Sequence, residues 1–241
     1  MVGMLSDIGN NRKKNEDYIG AYEDNKKRAY VVADGIGGHN AGEIASKLAV
    51  EKILESIKRY DEIDDLKQCL IEAVQYANTE IFHLACQNNE YRGMGTTITT
   101  CLVVKNKMVV ANVGDSRCYV VKGNEMLRIT KDHSLVQQLL DSGEISKEEA
   151  AIHPNRNVIT RALGTKFSVK VDIFELSLCK GQKVILCTDG LTKELNENEI
   201  YSIIKQYKNN QVICEQMVKE SKEKGAKDNI SVVLFEGEGN E

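Results

Sequence analysis

The sequence predicts an α+β protein built from a packed pair of mostly antiparallel sheets with helices on their outer faces. Strand-like runs rich in Val, Ile, Thr or Tyr dominate the chain, and the order of strands and helices lacks the regular alternation of a parallel sheet. A single Pro, at 154, and no Ser/Gly-rich stretch leave no visible linker. One domain over 1–237 is therefore expected, followed by a short tail at 238–241.

The first strand-like runs are DYIGAYE at 17–23 and RAYVVA at 28–33. Two amphipathic helices follow Asp34-Gly35. Ala41, Ala45, Leu48, Ile53 and Ile57 form one apolar stripe, and Leu66, Leu70, Ala73, Ala77, Ile81 and Leu84 form another, so each helix should bury one face. Strand-like runs resume at 96–104, 107–113, 117–122, 168–176, 183–188 and 230–235. Further helices are expected at about 133–141, 146–151, 197–207 and 210–224. The segment 132–165, with His153-Pro154-Asn155-Arg156-Asn157 inside it, reads as a surface subdomain or lid.

Lys plus Arg number 32 against 36 Asp plus Glu, a net charge of −4. The basic runs are short, which argues against nucleic acid as the main partner. No apolar run approaches the roughly 18 residues of a membrane span, and no basic segment leads into an apolar one near Met1, so a cytoplasmic location is expected. Seven cysteines, with no CxxC and no zinc-like Cys-His spacing, read as reduced thiols, mostly in the core. Cys86 and Arg92 have the Cys-x5-Arg spacing of cysteine phosphatases. The five residues between them contain no Gly, and Cys86 ends a helical stretch instead of facing a helix N-terminus that would lower its pKa. That chemistry is rejected.

The acids are more informative. Apolar strands repeatedly meet one: YVVA-Asp34-Gly35, VVANVG-Asp115 and VILCT-Asp189-Gly190, with Asp228-Asn229 opening the last strand and Glu16-Asp17 early in the chain. Any one of these is as readily a turn residue, since Asp-Gly is a hairpin signal. Together, at strand ends that one edge of a sandwich would gather, they imply a compensating cation. Oxygen-only ligands favour Mg²⁺ or Mn²⁺. Two such ions about 3.5 to 4 Å apart can share a water and generate hydroxide near neutrality. Arg12, five residues before Asp17, could clamp two phosphate oxygens with its guanidinium. Gly35-Ile36-Gly37-Gly38-His39-Asn40 fails as a dinucleotide fingerprint, because Asn40 stands at the third Gly position and Asp34 would repel pyrophosphate.

In chain order, Ser6 to Asp17 (SDIGNNRKKNED), Ala33-Asp34-Gly35-Ile36-Gly37-Gly38-His39, Gly93-Met94-Gly95-Thr96-Thr97, Val113-Gly114-Asp115-Ser116-Arg117, His153 to Gly164 (HPNRNVITRALG), Thr188-Asp189-Gly190-Leu191 and Asp228-Asn229 resemble the motifs of the bacterial branch of the protein phosphatase 2C (PPM) family. They span residues 6 to 229. The resemblance implies a four-layer αββα sandwich with a flap subdomain at 132–165. It implies an enzyme that hydrolyses phosphoserine and phosphothreonine in proteins with Mg²⁺ or Mn²⁺, two core ions and a third site. By position, Asp34 should bridge both core metals, with the Gly35 carbonyl on one and Asp189 and Asp228 on the other. Asp115, with Asp189, matches the third site. Arg12 matches the phosphate-binding arginine, and Glu16 and Asp17 match acids that hold metal-bound waters.

The mechanism so implied is direct attack by a metal-bridging hydroxide, without a phosphoenzyme or a catalytic cysteine. Where many eukaryotic members carry His after Asp-Gly, this chain has Ile36, and His39 reads as structural; the leaving-group proton is expected from water near Asp115. The implied partners are phosphorylated proteins and a bacterial Ser/Thr kinase whose work the enzyme reverses, with the chain acting as a monomer. The rival readings are a pseudophosphatase that binds phosphoproteins without turnover and a phosphatase of anti-sigma antagonist regulators.

Overall fold

A computed structural model describes residues 2–37 and 41–238. His39 and the tail beyond 238 lie outside the described residues. One sheet has the strand order β1 (Gly3–Asp7), β11 (Ile230–Glu236), β10 (Lys183–Cys187), β7 (Arg117–Lys122) and β8 (Glu125–Arg128). The other runs β2 (Asp17–Glu23), β3 (Arg28–Ile36), β5 (Ile98–Val104), β6 (Lys107–Val113) and β9 (Asp172–Ser177), with the short β4 (Gly95–Thr96) on β3. The paired strands are antiparallel throughout.

Alternation along β3 shows how the layers form. Ala29, Val31 and Ala33 face outward, onto α1 (Ala41–Lys58) and α2 (Leu66–Gln87), where Ala45, Ala49, Ile53, Leu70 and Ile81 complete one core. Tyr30 and Val32 face inward, to a core shared with Val184, Leu186 and Val233 of the other sheet. Tyr30 stacks on Phe235 at 4.0 Å between ring centroids. On the far side, Tyr119, Ile185 and Val232 pack under α5 (Asp189–Glu194), α6 (Glu197–Gln206) and α7 (Asn210–Glu223). The result is the four-layer αββα sandwich, with helices α3 (Leu135–Asp141) and α4 (Lys147–Ile152) in the 132–165 segment.

Helix ends follow local chemistry. Asp65 caps α2 by accepting from the Gln68 amide, and reciprocal capping boxes start α4 at Ser146 and Glu149 and α6 at Asn196 and Glu199. Several elements differ from the sequence reading, and the run expected at 96–104 is divided at Thr97 into β4 and β5. β1, β8 and α5 form where no strand or helix is expected, each too short to display a period of its own. The strand expected from 168 begins at Asp172. Cys86 lies in the last turn of α2 and is exposed, as is Cys179, whereas the other five cysteines are buried. Among the described residues no helix is long and apolar enough to cross a membrane.

Candidate active site

Antiparallel pairing brings four strand ends to one pole of the sandwich. β3 carries Asp34 there, β6 runs into Asp115, β10 runs into Asp189 at the first position of α5, and β11 begins just after Asp228. Asp17, the first residue of β2, stands opposite Asp34 in register. Two glycines permit the close approach. A Cβ at Gly35 would overlap the Gly42 carbonyl of α1, and one at Gly190 would overlap the Asn229 carbonyl.

The surrounding hydrogen bonds fix the backbone that presents the acids. Thr97 accepts from the Asp34 amide through its Oγ1 at 3.0 Å, and the Asp34 carbonyl accepts from Thr96 Oγ1 at 2.9 Å. Asn229 staples the N-terminal loop to β11: its Nδ2 donates to the carbonyls of Ile8 and Lys14, both at 2.9 Å, and its Oδ1 accepts from the Glu16 amide at 2.9 Å. Arg12 projects from the loop held this way. Its Nη2 lies 2.8 Å from Asp228 Oδ1, and its side chain is 48% exposed. Lys193, one helical turn after Asp189, places its ammonium 2.6 Å from Asp189 Oδ2 and 3.1 Å from Asp228 Oδ2.

Proton affinities record the crowding. Burial, then the charges of Asp17, Asp189, Asp115 and Asp228, drive the Asp34 carboxyl well above its ordinary range. Burial pushes Asp17 up to about 7, although Thr188 Oγ1 donates to its Oδ2 at 2.8 Å. Asp115 also rises to about 7, through burial and then the charges of Asp189 and Asp132. Burial raises Asp189 despite Lys193, and burial raises Glu16 despite Arg12. Burial works against the Lys193 ammonium, but Asp189 and Asp228 outweigh it and hold its proton more tightly than usual.

The family profile Protein phosphatase 2C matches residues 2–139. Serine/threonine phosphatase stp of Listeria innocua is 37% identical over 235 residues, which cover 96% of this chain and 93% of that one. The chain belongs to the protein phosphatase 2C family. Protein phosphatase PhpP of Streptococcus pneumoniae is 34% identical over 236 residues, 97% of this chain and 96% of its own. Among solved structures, a bacterial serine phosphatase superposes with a TM-score of 0.93 at 35% identity, covering 100% of this chain and 98% of its own. The catalytic domain of the phosphatase PstP, in complex with two manganese ions, reaches 0.86 at 31% identity, with 97% and 96% covered.

The residues this protein phosphatase 2C chain offers fit a hard cation. The donor set is carboxylate and carbonyl oxygen, and Asp189 Oδ1 is buried with no hydrogen-bond partner. Crowded acids of raised proton affinity are what a bound cation would relieve. Among the described residues no three His, Cys, Asp or Glu side chains stand in ligating geometry around one point; Lys193 and Arg12 share the carboxylates instead. Sequence reading missed Lys193. Its signal is the i,i+4 spacing from Asp189, which carries meaning only once 189–194 is known to be helical. The stapling role of Asn229 was equally unread, although Asp228-Asn229 stands among the quoted motifs.

Proposed function

We propose that the chain is a metal-dependent protein phosphatase that hydrolyses phosphoserine and phosphothreonine and so reverses the work of a Ser/Thr kinase in the cytoplasm. The observation that carries this reading is the gathering of Asp17, Asp34, Asp115, Asp189 and Asp228 within electrostatic reach at one pole, with Arg12 at its edge. Asp34, the Gly35 carbonyl, Asp189 and Asp228 would hold two Mg²⁺ or Mn²⁺ ions; the two manganese ions of the PstP catalytic domain support the number of ions. Asp115 would serve a third site, and Glu16 and Asp17 would orient water. Residues 1–237, including the flap, would act as one unit and as a monomer.

Ions held there would lower the pKa of water at the site, so that hydroxide is available near neutral pH as the nucleophile for direct hydrolysis without a phosphoenzyme. The chain's own groups do the rest. Arg12 presents a forked donor to the equatorial phosphate oxygens, and an arriving phosphate would compete with Asp228 for it. The Asn229 staple limits how far the Arg12 loop can move. Asp115, whose carboxyl rises to about 7, would orient the water that protonates the departing serine oxygen. No cysteine takes part: burial raises Cys69 to about 11 and Cys187 to about 12, and Cys86 is at a helix C-terminus. Turnover of phosphoserine and phosphothreonine peptides and of p-nitrophenyl phosphate should require Mn²⁺ or Mg²⁺ and stop with chelator. Asp34→Asn should lower it at least about 10³-fold, Asp115→Ala should change its pH profile, and Cys86→Ser should leave it intact. Chelator-resistant turnover, or an active Asp34→Asn enzyme, would overturn the assignment.

A further inference from the structure

The pole opposite the carboxylates carries a groove of about 850 Å³. It is lined by the far end of β7, residues 120–122, and by the 176–183 segment that joins β9 to β10. Five to six residues of strand separate the poles, roughly 20 Å at about 3.3 Å per residue.

The floor is apolar, made by Val120, Ile129, Leu176, Leu178, Ile204 and Tyr207, and Leu127 beside them is 43% exposed. β8 and β9, which contribute Leu127 and Leu176, each end their sheet, so among the described residues each has one edge without a strand partner. Such an edge offers backbone donors and acceptors to an incoming extended chain.

The rim is cationic. Lys122, Lys180, Lys183, Lys205 and Lys208 line the groove against a single acid, Glu236. Glu236 is already engaged by Lys183 at 2.5 Å. Lys205 rests on the neutral Gly123 carbonyl at 3.3 Å and on Asn124. Lys122, Lys180 and Lys208 have no side-chain hydrogen bond or ion pair among the described residues. The ammonium groups of Lys122, Lys180, Lys205 and Lys208 thus have no ion-pair partner among the described residues, although Glu125 stands opposite Lys122 in register, and they surround an apolar floor in a chain whose net charge is −4. Solubility does not require them there, whereas an acidic ligand would be drawn to them.

We propose that this groove docks an extended acidic peptide segment, alternating carboxylate and aliphatic side chains, that belongs to the protein substrate and lies remote from its phosphorylated residue. Acidic side chains would meet the lysines while alternate aliphatic ones enter the floor, the two faces of an extended strand. The proposal rests on the phosphatase reading for the identity of the occupant, but not for binding itself.

The test uses the full chain loaded with Mn²⁺ and the variant Lys122→Glu/Lys180→Glu/Lys208→Glu, whose three positions are exposed and far from the carboxylates. A fluorescein-labelled, unphosphorylated peptide of alternating Glu and Val is titrated by anisotropy. Wild type should bind it, more weakly as salt rises, and the variant should bind at least about tenfold more weakly. A peptide with Lys for Glu should not bind. For a phosphoserine substrate joined to the acidic segment by about ten residues, KM should rise about tenfold in the variant with kcat unchanged, while p-nitrophenyl phosphate turnover stays equal in both. Equal peptide binding by the two proteins overturns the proposal and leaves the phosphatase reading standing. Absence of p-nitrophenyl phosphate turnover in wild type defeats that reading while the titration still reports on the groove. Failure to bind the peptide, with lysine-dependent binding to phosphatidylglycerol vesicles or lysine-dependent self-association in its place, would name another occupant and overturn the proposal.

Discussion

Asp17 is 5% exposed and accepts from Thr188, yet it keeps its proton up to about 7, because burial and the charges of Asp189 and Asp228 outweigh the hydroxyl donors. The native state therefore binds this proton more tightly than the unfolded chain, whose carboxyl titrates near 3.8. The stabilisation is complete below about 3.8 and is lost as pH rises through about 7. Asp17→Asn keeps the acceptor for Thr188 and removes the charge. In chelator at pH 8 the variant should melt about 2 to 4 °C above wild type, with little difference at pH 4. Scanning calorimetry at the two pH values checks this, and a variant that melts lower at pH 8 would contradict it. The same substitution should reduce turnover, so that stability and activity part at a single side chain. The identities of Asp17, Asp34 and Asp189 were legible because each stands in a short local pattern. Lys193 was not, because its meaning depends on where another chain segment puts Asp228.

His133 shows what an element boundary contributes. It stands at the start of the flap segment, 7% exposed. Its Nδ1 accepts from the Gly114 amide at 3.0 Å, its own amide donates to the Gly114 carbonyl at 2.9 Å, and its carbonyl accepts from Thr160 at 2.7 Å. The flap is thereby tied to the residue before Asp115. Nε2 lies 3.1 Å from Asp172 Oδ2, off the line of a good hydrogen bond, and Asp172 is held from the other side by Arg161 at 2.6 Å. Burial keeps the imidazole pKa below its usual value, with Asp172 opposing and Arg161 assisting. A neutral ring is needed for Nδ1 to accept. The unfolded chain takes up this proton first, near 6.5, so the stabilisation is complete above that pH and falls as pH drops through the folded value. Limited proteolysis between α3 and α4 should accelerate as pH falls from 7 to 5.5. His133→Phe, which orphans the Gly114 amide, should be cleaved faster at both values and lose about 1 to 3 kcal/mol of stability. Unchanged cleavage in the variant would remove His133 from this role. The two short helices of the 132–165 segment were visible in the sequence, on the N-terminal side of a lone Pro. The anchor of the segment was not, because Gly114 and His133 meet through folding and neither carries a local signal.

Across the molecule, the acids at one pole must lose protons to receive a cation, so metal binding and pH are linked. Added Mn²⁺ should raise the melting temperature strongly at pH 8 and at most half as much at pH 5.5. An ion at 100 times its dissociation constant contributes about 2.7 kcal/mol. Asp34→Asn should abolish most of the gain at pH 8, and an equal gain at both pH values in wild type would show that ligands other than these carboxylates hold the ion. The antiparallel sandwich and its acids at strand ends were written in the sequence, because strand alternation, helical stripes and Asp-Gly breaks are signals between near neighbours. The bridge from Lys193 to Asp189 and Asp228, the Asn229 staple, and the lysines at 122, 180 and 208 around one apolar groove were decided by the tertiary structure. They join segments that only the packing of two sheets brings within contact distance, and no local pattern records such a meeting.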